Sequence, residues 1–220
     1  MTTFQRARSD EQRAERRRAI LATAAEMLTE LPVAQLSLNE LSRRVGLAKS
    51  NVLNYFESRE AILLELLDTE TQAWIGQLDQ ELTVDPKATA DERAGRLADA
   101  IVTTLAARPM LCTLLAAQSS VLEHNISVEV ALTFKRSSVA NLSSILELVL
   151  RSVPELGEEG AARFITGAAM LIGVIWTHAH PAAAITAAYE ADPTVATFRI
   201  TFAPALRETL QTLLTGVLPR

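Results

Sequence analysis

Between Ser37 and Glu60 the chain reads SLNELSRRVGLAKSNVLNYFESRE, and its polar side chains are of the kinds that recognise nucleic acid. Lys49 can reach guanine O6 and N7, and Asn51 and Asn54 can each bond the N6 and N7 edge of adenine as a pair. Ser50 stands beside them at the front of the same short helix. Lys49 and Arg59 both fall in the first turn of a helix, where a cation meets the positive end of the macrodipole and is mildly unfavourable. A phosphate docked there reverses the sign, because the N–H groups, the dipole and the cation then point at one anion. Ser37 offers the same geometry one helix earlier, and the Tyr55 hydroxyl is left for a further phosphate. The rival reading is plain solvated helix surface.

Local signals say which elements hold these residues. Ser37 with Glu40 three residues on forms a capping box that marks a helix start. Leu38, Leu41 and Val45 share one face, and Gly46 stands where a helix ends in a left-handed conformation. Val52, Tyr55 and Phe56 supply the inward face of a second helix. Two helices this short bury too little on their own. An amphipathic helix over about 10–30 lies behind them, with Ile20, Ala24, Met27, Leu28 and Leu31 on one side and its arginines on the other. Helix, four-residue turn with glycine, helix, on a third helix is a helix-turn-helix.

The stretch resembles the DNA-binding head of the TetR family of bacterial transcriptional regulators. The family's pattern is matched by Ser37 before a helix, the Gly46-Leu47-Ala48 turn, Lys49 to Asn54, the aromatic pair Tyr55-Phe56, and Ser58-Arg59-Glu60 entering the next helix. The match covers about residues 14–74. It departs at Leu53, where the family often has Tyr, and at Asn54, where an aromatic or His is common. The resemblance implies an all-α fold: a three-helix head over residues 10–74, with the helix-turn-helix at about 37–56, and a helical effector-binding and dimerisation domain over 75–220. It implies a DNA-binding surface of Ser37, Lys49, Ser50, Asn51, Asn54, Tyr55 and Arg59.

Charge and composition agree. Residues 1–59 hold ten Lys/Arg against seven acids, whereas residues 60–220 hold eleven against nineteen, so a basic head sits on an acidic body within a net charge of −5. Arg6 and Arg8 read as an arm preceding the first helix, which either enters an adjacent minor groove or, more simply, adds non-specific attraction to phosphate. Ala (35) and Leu (32) dominate 220 residues that hold only 8 Gly and 8 Pro, which leaves room for long helices and little for a turn-rich β fold. A hydrophobic share of 49% excludes disorder. The single cysteine, Cys112, excludes a disulfide framework and fits a reducing, cytoplasmic setting. No signal peptide is evident. The uncharged run Phe164 to Tyr189 is long enough to raise the membrane question, but its strongly apolar part is short, and a helix buried on both sides is the better reading.

The body offers a dimer surface and a pocket. A lone helix-turn-helix reads few bases, and such modules commonly act as two-fold dimers. Ile165, Ala169, Ile172 and Trp176 form one stripe of a helix over about 158–180. A last helix, from Asp192 to Gly216 and interrupted at Pro204, repeats the pattern with Phe198, Phe202, Leu206 and Leu210. The family builds its dimer from the last two long helices, so these residues are the expected interface; a larger monomer core is the alternative. The middle helices should hold the effector site, with Cys112, Leu115, Gln118, Phe134, Ser137, Asn141 and Trp176 as its lining. Gln118, Ser137 and Asn141 are polar groups in apolar stripes, which either bond locally or face a cavity. The expected effector is small and apolar or amphipathic.

Catalysis has little support. His178 and His180 are two apart and cannot both ligate one ion from a helix. No HExxH, CxxC, GxGxxG, GxSxG or P-loop occurs. No catalytic residue, metal site or cofactor is expected. The rival class is an all-helical small-molecule binder or enzyme whose N-terminal helices are only a protein-contact module.

Overall fold

The computed structural model describes residues 3–83 and 85–219, with side chains from residue 11 onward. Among the described residues there are ten α-helices and no strand. The chain forms two compact units: residues 1–69 with 117–136, and residues 70–116 with 137–220. The expected division at 74/75 is a single cut, whereas these units interleave, the segment 117–136 grouping with the N-terminal helices.

In the first unit α1 (Thr3–Glu30) buries Ile20, Ala24 and Met27 at spacings of four and three. It ends just before Leu31-Pro32, as expected where proline disfavours helical backbone in the residue before it. A 3-10 turn (Val33–Gln35) leads to α2 (Leu38–Val45). The Ser37 hydroxyl caps α2 by accepting from the Glu40 N–H at 3.3 Å. The reciprocal half of the expected capping box is not made. The Glu40 carboxylate turns instead to Arg43 and Arg44, whose guanidiniums hold its pKa at about 2. Gly46 closes α2 with φ +72°, and the Leu47 N–H returns to the Ser42 carbonyl at 3.0 Å. An L side chain at that φ costs roughly 1–2 kcal/mol. α3 (Lys49–Leu53) follows at once, and α4 (Arg59–Glu81) begins after a short loop. Leu41, Val52, Phe56, Ile62 and Leu63 complete the core around α1.

Arg6 and Arg8 do not precede the first helix. The backbone is already helical from Thr3, so both lie within α1; their side chains fall outside the described residues.

The second unit contains the C-terminal part of α4, α5 (Ala90–Ala106) and α6 (Pro109–Ala117), with α7 (Val128–Ser152) entering it at Ser137. α8 (Gly157–Ala179), α9 (Ala183–Ala191) and α10 (Phe202–Val217) complete it. Thr89 and Glu92 form a complete capping box at the start of α5. The aliphatic core includes Leu97, Ile101, Leu105, Leu111, Phe164 and Leu206. The buried Trp74 indole N–H donates to Thr104 Oγ1 at 2.9 Å, which ties α4 to α5. The abundance of small residues has a direct use at α8: a Cβ on Gly173 would lie 2.9 Å from the Ala116 Cα of α6.

The last helix differs from its expected form. Residues from Asp192 begin with a 3-10 turn (Val195–Phe198), and the helix restarts at Phe202, placing Pro204 in its first turn, where no i−4 carbonyl is available to lose. α9 had no counterpart in the sequence reading.

The dimer stripe needs a larger correction. Ile165, Ile172, Phe202, Leu206 and Leu210 are buried within the unit itself, and Trp176 is half-buried against Phe202. α8 is apolar on two sides and buries both within the unit, Phe164, Ala168 and Ile175 as well as Ile165 and Ile172. Only Ala169 and Phe198 of the expected interface are exposed; Met170 (70% exposed) and Val174 (52%) of α8 are exposed as well. Pro154–Ala179 is long and apolar enough to cross a membrane, with 44% of its most apolar stretch buried inside the protein. A core helix of a soluble protein meets the same criterion.

Candidate nucleic-acid interface

α3 presents a short polar front. Lys49, Ser50, Asn51 and Asn54 are exposed, while Val52 is buried beneath them. Leu53 is also exposed (41%) and supplies an apolar atom set on the same front. No carboxylate pairs with Lys49 among the described residues. Ser37 is exposed at the start of α2, where its oxygen is used by the Glu40 N–H and its own O–H remains available to donate.

The carbonyls of Asn51 and Val52 near the end of α3 accept from the N–H groups of Asn54, Tyr55 and Phe56, and α1 bonds the two residues that follow the helix. The Arg13 guanidinium donates to the Asn54 carbonyl at 3.1 Å and lies 5.5 Å from the Tyr55 ring centre. Arg17 donates to the Tyr55 carbonyl, pairs with Glu65 and stacks 4.2 Å from the Phe56 ring centre. These two arginines therefore fix the end of the recognition helix against the three-helix core. They correct the expectation that the arginines of α1 lie opposite its apolar face. Arg13 and Arg17 continue the spacing of Ile20, Ala24 and Met27, a signal that was present in the sequence.

Arg59 is the second correction at the site. Its guanidinium bonds Glu60 Oε1 at 2.7 and 3.0 Å and the carbonyls of Leu36 and Ala34 at 3.2 and 3.4 Å. Glu60 is only 7% exposed, so this cation neutralises a buried carboxylate and ties the start of α4 to the turn before α2. It is spent inside the protein, which explains a cation at a helix start without any phosphate. Tyr55 is half-buried, with Arg13 at its ring face.

The residues expected to line an effector site are distributed over both units. In the first unit the Gln118 amide donates to Glu123 Oε1 at 2.8 Å from a π-helical turn (Gln118–Leu122), and Phe134 is buried. Lys135 reaches the same Glu123 oxygen at 2.8 Å. In the second, Leu115, Ser137 and Asn141 are half-buried, and the Trp176 indole N–H donates to Thr113 Oγ1 at 3.1 Å. Cys112 is wholly buried, and burial pushes its thiol up to about 12, which removes it as a nucleophile at neutral pH.

A glycine-closed turn presenting an exposed Lys/Ser/Asn helix on a three-helix core defines a helix-turn-helix DNA-binding protein. The chain belongs to the TetR family of bacterial transcriptional regulators: residues 20–66 match the family described as bacterial regulatory proteins, tetR family, and residues 68–220 match the tetracyclin repressor-like C-terminal domain. A 54-residue stretch is 43% identical to the HTH-type transcriptional regulator EthR of Mycobacterium tuberculosis, spanning 24% of this chain and 25% of that one. The chain thus matches about a quarter of the length of its curated relatives. The fold resembles that of the fatty acid degradation regulator FadR from Bacillus halodurans, at TM-score 0.56 and 16% identity over 93% of this chain and 97% of that one. It also resembles FadR from Bacillus subtilis in complex with stearoyl-CoA, at TM-score 0.54 and 16% identity over 90% and 98%.

Proposed function

We propose that the protein is a ligand-responsive repressor that binds a palindromic operator as a homodimer. The observation that carries the reading is the front of α3, where Lys49, Ser50, Asn51 and Asn54 stand exposed on a helix whose end is clamped by Arg13 and Arg17. Lys49 and the two asparagines read base edges, and Ser37 and Tyr55 hold backbone phosphates. Such a regulator works in the cytoplasm, where its DNA is.

On this reading residues 10–74 serve DNA and residues 75–220 serve effector and partner. The dimer face is the outward side of α8, with Ala169, Met170 and Val174, together with Phe198, in place of the stripe buried at home. The effector is apolar or amphipathic. That chemistry includes the acyl thioester held by the Bacillus subtilis regulator of similar fold. α4 runs unbroken from the residue after the aromatic pair's loop into the second unit, which suits it to couple the two sites. DNA favours one state, effector the other, and each weakens the other's binding by the same factor.

Selection of bound duplexes from a random pool tests this directly. The expected product is an inverted repeat whose half-sites lie about one helical turn or a multiple apart. A pool with no enrichment, or a single asymmetric site, overturns the dimeric operator reading.

A further inference from the structure

The cations of the first unit fall into two groups. Arg17, Arg43, Arg44, Arg59 and Lys135 are each paired with a carboxylate. Among the described residues Arg13, Arg16, Arg18, Lys49 and Arg136 make no ion pair with a carboxylate. Two of these, Arg13 and Arg16, are exposed along one open groove of about 610 Å³, which is completed by Gln12, Glu15, Ala19 and Tyr55. Arg13 holds the groove's inner wall, anchored on the Asn54 carbonyl and over the Tyr55 ring. Arg16, one turn along, keeps its whole guanidinium free.

We infer that this groove takes a backbone phosphate of the same DNA duplex, outside the base pairs read by α3. The inference rests on the proposed regulator function and extends its surface to residues of α1 that the motif does not include. The chemistry is one-sided: two guanidiniums, the Gln12 amide and the Tyr55 hydroxyl all donate, against the single carboxylate of Glu15. Guanidinium forks match phosphate oxygens in geometry as well as charge. The groove adjoins the recognition helix, since Tyr55, two residues past its end, lines the groove and Arg13 of the groove donates to the carbonyl of Asn54, the residue that follows the helix. A phosphate contact in the groove fixes register and carries no base information.

The test compares Arg16→Ala and Arg18→Ala in the full chain, on duplexes selected with the unaltered protein and on scrambled duplexes. Both positions are exposed, so thermal unfolding should be unchanged. Arg16→Ala should weaken both kinds of duplex by a similar factor, roughly tenfold near 0.1 M salt, leaving base preference intact. The slope of log K against log salt should flatten by about 1. Arg16→Lys should keep the slope, and Arg18→Ala, off the groove, should change little. Equal losses for Arg16→Ala and Arg18→Ala mean a diffuse field and overturn the groove, as does an unchanged slope for Arg16→Ala. If the unaltered protein retains no duplex at all, the regulator reading falls first and the groove falls with it.

Discussion

Two helix starts in the first unit carry a cation in the same place and use it for different ends. At α3, Lys49 stands exposed in the first turn and makes no ion pair among the described residues. At α4, Arg59 projects from the first turn and is consumed by Glu60 and two carbonyls. The sequence pattern is the same, a basic residue at N1, and the electrostatic argument for a docked anion applies to both. What separates them is the neighbour. Glu60 follows Arg59 directly and is buried, whereas Ser50 follows Lys49 and is exposed. A cation at a helix start is evidence for an outside anion only after inside anions have been counted.

The comparison breaks most readily at Arg59. Arg59→Ala leaves the Glu60 carboxylate buried and unpaired, so urea unfolding should show a loss of about 3 kcal/mol. Adding Glu60→Gln should recover part of it. An Arg59→Ala variant as stable as the parent, but weaker on every duplex, would return Arg59 to the DNA surface. Lys49→Ala is the reverse case. It should leave stability within about 0.5 kcal/mol, because the side chain is exposed and makes no ion pair among the described residues, while costing about 1–3 kcal/mol of DNA affinity with an altered base preference.

Smaller effects sharpen the frame that separates the two starts. Gly46→Ala meets open space, yet its φ of +72° should cost about 1 kcal/mol in thermal or chemical unfolding. Glu40 gives the smallest effect. Its carboxyl is held at about 2 in the folded chain, chiefly by Arg43 and then Arg44. Its contribution is therefore complete above the ordinary carboxylate range near 4.5 and is lost as pH falls through that range towards 2. Carboxyl titration followed by NMR should find Glu40 still ionised at pH 3, and a midpoint near 4.5 would show that the Arg43 and Arg44 contacts are not kept in solution.

The head was legible because its rules are local. Ser37 at the start of α2, Gly46 at its end and the buried Val52 and Phe56 are each settled within a turn or two of chain. Arg59 was misread because the same local rule was applied without its partner. Arg13 and Arg17 were missed because a charged residue on a core-facing stripe reads as noise until the carbonyls of Asn54 and Tyr55 are seen beside it. In the body, α8 has two apolar stripes of nearly equal strength. Both prove to be buried at home, through Ile165 and Ile172 and through Phe164, Ala168 and Ile175, while the exposed Met170 and Val174 belong to neither. α9 is alanine-rich and buries none of its residues, so it left no periodic signal to find.

The central claim is that the open face of α3, with Lys49 at its start, reads bases. Parallel duplex selections with the unaltered chain and with Lys49→Ala test it most directly. The account predicts an inverted repeat for the first, and for the second the same repeat with preference relaxed at one position in each half. Identical enrichment from both proteins, position for position, would contradict it.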